Sequence, residues 1–101
     1  MVYCTCPDRD SATALAEAAV AARVAACVNL LDGVRSVFLW QGSIDRADEV
    51  LLLAKTTASR FPALEALWRA RHPYELPEIV AVPLVTGSAA YLQWIDASVT
   101  P

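Results

Sequence analysis

Two cysteines, Cys4 and Cys6, stand two residues apart near the start of the chain, and the only histidine, His72, stands in the run His72-Pro73-Tyr74-Glu75-Leu76-Pro77-Glu78. Thiolate and imidazole together are a donor set for Cu(I), Zn(II) or Cu(II). On a strand, residues two apart share a face about 6 to 7 Å from each other. That spacing is awkward for a disulfide and workable for two thiolates around one soft metal. Arg71, beside His72, would favour thiolate over thiol while repelling the metal cation itself. The same side chains also have purely structural uses. A buried free cysteine packs as a small hydrophobe, which is the reading for Cys27 at the end of an alanine-rich segment. A histidine before proline can close a helix end or bridge a subunit contact.

Lys55 is the second chemical feature, an ammonium on an otherwise apolar strand. It calls for a carboxylate such as Glu75 or Glu78, or an anionic ligand. With Trp40, Tyr74, Glu75 and His72 it could line a pocket between subunits; its structural alternative is a Lys–Glu bridge at an interface. No glycine-rich phosphate loop is present. Cys4 with His72 is the only Cys–His pairing, and no nucleophile, base and orienting group form a set, so the expectation is a protein without catalysis or a required cofactor.

These residues must be positioned by a short series of elements. Val2 to Cys6 reads as a strand ended by Pro7, and Asp8 to Ser11 offer caps for a helix to about Val24, with Leu15, Ala18, Ala19 and Ala22 on one face. Extended structure follows from Cys27, with a turn at Asp32-Gly33, a second stretch from Val34 to Gly42, a polar turn at Asp45 to Asp48, and a return strand from Glu49 to Thr57. Val37-Phe38-Leu39-Trp40 is apolar on both faces, so both should be covered. Ser59 reads as an N-cap for a helix carrying Leu64, Leu67, Trp68 and the stem of Arg71 on its apolar stripe. Pro73 stops that helix at His72, and Pro77 delays pairing to Glu78. Ile79 to Val85 reads as a strand, and Gly87-Ser88 opens a last helix with Tyr91, Leu92 and Ile95 buried. Trp40, Trp68 and Trp94 read as core and interface anchors. The order makes an α+β, ferredoxin-like (βαββαβ) sandwich with an extended central hairpin and an added C-terminal helix. All of residues 1–101 fall in one domain.

Composition narrows the function. The chain is 56% hydrophobic and 19% charged, more apolar than one small core can absorb. Homo-oligomerisation is the simplest way to cover the excess, and the long hairpin offers an edge for it. No apolar run reaches the roughly 18 residues of a membrane span, and no basic region leads an apolar one, so the expected location is the cytoplasm. Eight basic residues against eleven acidic ones are scattered, which argues against nucleic acid. An odd three cysteines fit reduced thiols.

Ala25-Ala26-Cys27-Val28-Asn29-Leu30, Trp40-Gln41-Gly42, Lys55-Thr56-Thr57, the His72–Glu78 run and Gly87-Ser88-Ala89-Ala90-Tyr91-Leu92-Gln93-Trp94 together resemble the divalent-cation tolerance (CutA) family over nearly the whole chain. The resemblance implies a ferredoxin-like homotrimer with strands paired across subunits, tolerance of copper and other divalent cations, and no enzymatic reaction. It also implies metal ligands at Cys4 and His72, with Cys6 in a position to assist. The family pattern has a second histidine where Arg71 stands, and arginine offers no lone pair. Relatives also carry more residues ahead of Cys4-Thr5-Cys6-Pro7-Asp8. A PII-like trimeric signalling or small-ligand module, with clefts between subunits, is the alternative reading.

Overall fold

The computed structural model describes residues 1–101. The elements are β1 (Val2–Cys6), α1 (Arg9–Ala21), β2 (Cys27–Trp40), β3 (Ser43–Lys55), α2 (Phe61–Arg71), β4 (Ile79–Ala81) and α3 (Ala89–Val99). The sheet order is β2-β3-β1-β4, antiparallel throughout. This is the α+β, ferredoxin-like arrangement with α3 added after the last strand.

Alternation along β1 decides where the core sits. Val2, Cys4 and Cys6 point to one face, where they join Val50, Leu52 and Ala54 of β3 under the two helices. Helix α1 contributes Ala12, Leu15 and Ala19, small residues that let it approach the sheet closely, and α2 contributes Leu64 and Trp68. Trp68 is fully enclosed, and its indole N–H donates to the Leu15 carbonyl at 2.9 Å, so the largest core side chain carries no orphaned donor. Burial along α1 follows Ala12, Leu15, Ala16 and Ala19 rather than the face through Ala18 and Ala22.

Helix α1 also stops earlier than its alanine-rich sequence suggests. Asp8 caps its start, accepting from the Ser11 backbone N–H. At the other end Arg23 takes φ 59°, and the N–H groups of Arg23 and Val24 bond back to the carbonyls of Val20 and Ala19. That is a Schellman closure with arginine in the left-handed position where glycine is usual.

The hairpin is longer than the polar residues suggest. Its turn is Gln41-Gly42, with φ of 49° and 83°, between the paired residues Trp40 and Ser43. Positive φ at both positions is the type I′ geometry that matches strand twist. Asp45 to Asp48 therefore lie inside β3, not in a turn. Asp32-Gly33 is no turn either: it is a bulge between Leu31 and Val34, with Gly33 at φ 78°. Ser59 does not cap α2. Arg60 holds that position without a side-chain bond, while Thr57 accepts from the N–H groups of Arg60 and Phe61. Arg71 is exposed and leaves the apolar stripe.

Strand β4 ends at Ala81, well short of Val85. Met1 is the last β1 partner, bonded to Val82, and Pro83 has no N–H to continue. On α3, Ile95 and Val99 are buried and Leu92 partly so, whereas Tyr91 and Trp94 stay about half exposed. Val37, Phe38, Leu39 and Trp40 are exposed, so nothing within the chain covers the apolar stretch of β2.

Candidate functional site

Cys4, Cys6 and His72 converge at one end of the core, with their sulfur and ring-nitrogen atoms within 4.8 Å of one another and all three residues buried. Strand alternation delivers the two thiols. The end of α2 delivers the imidazole, because Pro73 holds His72 extended (ψ 139°) and turns its ring back over β1.

The hydrogen bonds fix the ring's protonation. The Tyr74 backbone N–H can only donate, and it reaches His72 Nδ1 at 3.0 Å, so Nδ1 holds a lone pair. Nε2 then carries the proton and donates to the Thr5 carbonyl at 2.8 Å, with Cys6 Sγ beside it at 3.7 Å. Both nitrogens are thus engaged, and to ligate a metal the imidazole would have to give up one partner. Of the two thiols, Cys4 is held strongly toward the protonated form by its hydrogen bond to Cys6 and by burial. The same bond favours loss of the first proton at Cys6. All three cysteines are free thiols.

Next to this cluster is an open hollow of about 870 Å³ between the elbow and the hairpin. Trp40, Tyr74 and Glu75 line it, as do Asp45, Arg46, Glu49 and Glu78. The Tyr74 hydroxyl donates to Glu49 Oε2 at 2.8 Å. Burial, and then this bond to a carboxylate, push the phenol well above its usual range. Lys55 is not part of the hollow. It lies at the far end of β3 opposite Cys27, and its ammonium donates to Asn29 rather than to Glu75 or Glu78. The cation in the hollow is Arg46, which falls in the polar run Asp45 to Asp48 expected as a turn, and Glu49 is expected from sequence only as the start of a strand. An acidic side chain at an alternate position beside Val50-Leu51-Leu52 was the available signal.

Comparison with known proteins decides the ancestry. Residues 1–98 match the model of the CutA1 divalent ion tolerance protein family. The chain belongs to that family. It is 44% identical over 95 residues to the divalent-cation tolerance protein CutA of Thermus thermophilus, covering 94% of this chain and 92% of the relative. It is 43% identical to human Protein CutA, of which it spans 52%. Among solved structures, the Thermus thermophilus divalent cation tolerance protein superposes with TM-score 0.96 at 42% identity, over 98% of this chain and 96% of that one. The Archaeoglobus fulgidus protein, described as a periplasmic divalent cation tolerance protein, superposes with TM-score 0.95 at 33% identity, over 98% of this chain and 96% of that one. The Thermus thermophilus and Archaeoglobus fulgidus relatives are named for tolerance, not for a reaction. No helix of this chain is long and apolar enough to cross a membrane.

Proposed function

We propose that the chain acts in divalent-cation tolerance as a homotrimer, without catalysing a reaction, in a reducing compartment such as the cytoplasm. The observation that carries the reading is the bare central hairpin. Strand β1 pairs with β3 only from Val50 to Ala54, which leaves Ser43–Glu49 with β2 on one side and no strand on the other. Around that open edge Val37, Leu39 and Ile44 are 67%, 73% and 67% exposed. An apolar edge of this length is a pairing site for further copies of the same strand. Three such hairpins can close a ring in which each supplies the edge its neighbour lacks.

The free thiols support a reducing location. The lack of catalysis is supported by His72, whose ring nitrogens already serve Tyr74 and Thr5. Copper is the cation suggested by the donor set of Cys4, Cys6 and His72, as no hard oxygen ligand belongs to that cluster. The hollow beside Trp40 favours a second reading, a PII-like trimer that holds a small ligand in a cleft between subunits.

Sedimentation equilibrium tests the assembly, and growth of copper-sensitive cells lacking their own family member tests the role. A trimer that Leu39→Glu dissociates, with rescue by the parent chain and not by the variant, is expected. A stable monomer, or no rescue by the parent, would refute the reading.

A further inference from the structure

We infer that the hollow between the proline elbow and the hairpin is a site for a linear polyamine, an aliphatic chain carrying several ammonium groups, with Glu49 holding one of them. The inference rests on the cleft reading just given and names the class of ligand such a cleft takes. Three observations lead to it.

First, the charge in the hollow is negative and is not neutralised within the chain. Asp45, Glu49, Glu75 and Glu78 line it against the single cation Arg46. Arg46 pairs with none of them, since the chain's one salt bridge joins Arg9 to Asp32. A phosphate or carboxylate ligand would be repelled here, and a cation would be drawn in.

Secondly, Glu49 differs from the other three carboxylates. It is buried, at 8% exposure, whereas Asp45, Glu75 and Glu78 are exposed. The Tyr74 hydroxyl donates to Oε2, and no group of the chain donates to Oε1. The one fully enclosed side-chain polar atom without a partner belongs to Arg60, so Oε1 keeps an opening to the hollow. A carboxylate withdrawn from water with one oxygen unpartnered is costly until a donor arrives. The strongest such donor is a charged N–H group, which a primary ammonium supplies and a quaternary one does not.

Thirdly, the carboxylates are spread out, which selects an extended cation over a metal ion. The place where metal-ligating groups of the chain converge is the Cys4, Cys6 and His72 cluster, not the hollow. Asp45 and Glu49 lie four residues apart along β3, about 13 Å at the usual strand rise. Phe38, directly across from Asp45, shares the wall with Trp40 and Tyr74. Methylene segments pack on such apolar walls, and ammonium groups on aromatic faces.

Spermidine is the probe, titrated calorimetrically into the full-length protein in its native assembly. The titration is run at about 0.15 M salt, where exposed charges more than about 8 Å apart are largely screened. One saturable site per chain is expected. Glu49→Gln keeps an acceptor for Tyr74 and should weaken binding roughly 10- to 100-fold, the range of a hydrogen bond to a charged group. Trp40→Leu should weaken it about 2- to 5-fold. Glu17→Gln removes the same charge from an exposed position on α1 and should leave binding unchanged. The unmodified chain supplies a check independent of folding. Spermidine fully methylated on nitrogen keeps its charge, loses every N–H, and should bind roughly 10-fold more weakly or worse. Equal effects of Glu49→Gln and Glu17→Gln, equal binding of the methylated chain, or one-for-one displacement by magnesium ion would each overturn the inference. Saturable binding of adenosine triphosphate in place of spermidine, weakened by Trp40→Leu, overturns it as well and leaves the cleft reading standing. If neither compound binds saturably, both are wrong.

Discussion

Tyr74 links the elbow to the sheet twice, by its backbone N–H to His72 and by its hydroxyl to Glu49. The second bond has a pH signature. The folded phenol is held above its ordinary value of 10.0 by burial and by the Glu49 carboxylate. A group whose folded pKa is raised contributes stability that is complete below the unfolded value and is lost as pH rises through the folded one. Tyr74→Phe should therefore be less stable than the parent by about 1 kcal/mol near neutral pH. That gap should close in alkali above pH 10, as read by denaturant midpoints across the range. A gap independent of pH would remove the Glu49 bond from the account. Much at this scale was legible in the sequence. The solitary histidine before proline and the two cysteines two apart on a strand identified themselves by type and spacing. What was not legible is which partners satisfy the ring, because Thr5 and Tyr74 contribute backbone atoms, which every residue carries. Lys55 misled for a related reason: its partner Asn29 comes from the strand alongside, a register that the long hairpin alone sets.

Elements show where a compositional rule fails. A run such as Asp45-Arg46-Ala47-Asp48 looks like a turn because its residues are polar, yet polar residues also suit a strand far out along a hairpin. Backbone dihedrals, not polarity, choose the turn, and only Gln41-Gly42 takes positive φ at two successive residues. Asparagine enters that region more readily than glutamine. Gln41→Asn should accordingly stabilise the protein by roughly 0.5 kcal/mol, and Gly42→Ala should cost about 1 kcal/mol or more, since no alanine adopts φ 83° without strain. The pair of thermal midpoints checks both signs, and a stabilised Gly42→Ala would overturn the turn assignment. The start of α1 gives a prediction of the opposite pH sense. Asp8 is held below its ordinary 3.8, first by the Ser11 backbone N–H and then by the Ser11 side chain. Its contribution is present above that value and is lost as pH falls through the lowered one. Asp8→Ala should then be less stable than the parent at pH 6 and indistinguishable from it in strong acid, by circular dichroism melts at the two conditions.

At the scale of the whole molecule, the apolar surplus visible in composition proves to be concentrated, not spread. One sheet face is closed by α1 and α2, while Leu31, Val80 and the hairpin residues Val37, Leu39 and Ile44 remain open. The sequence revealed the excess and the doubly apolar strand, but only the register shows that β1 stops at Val50 and leaves the outer half of β3 without a neighbour. If three chains share those edges, folding and assembly are one equilibrium, and stability must depend on protein concentration. For a trimer unfolding to three separate chains, each tenfold rise in concentration adds two factors of ten to the equilibrium for three chains. At about 1.4 kcal/mol per factor, that is about 0.9 kcal/mol for each chain. With about 4 to 8 °C per kcal/mol for a chain of this size, the thermal midpoint should climb several degrees per decade of concentration. Leu39→Glu should lower the midpoint and weaken that slope by placing an ionised carboxylate at the shared edge. A midpoint unchanged over two decades would mean that the chain folds on its own, and that the hairpin's open edge serves something other than copies of itself.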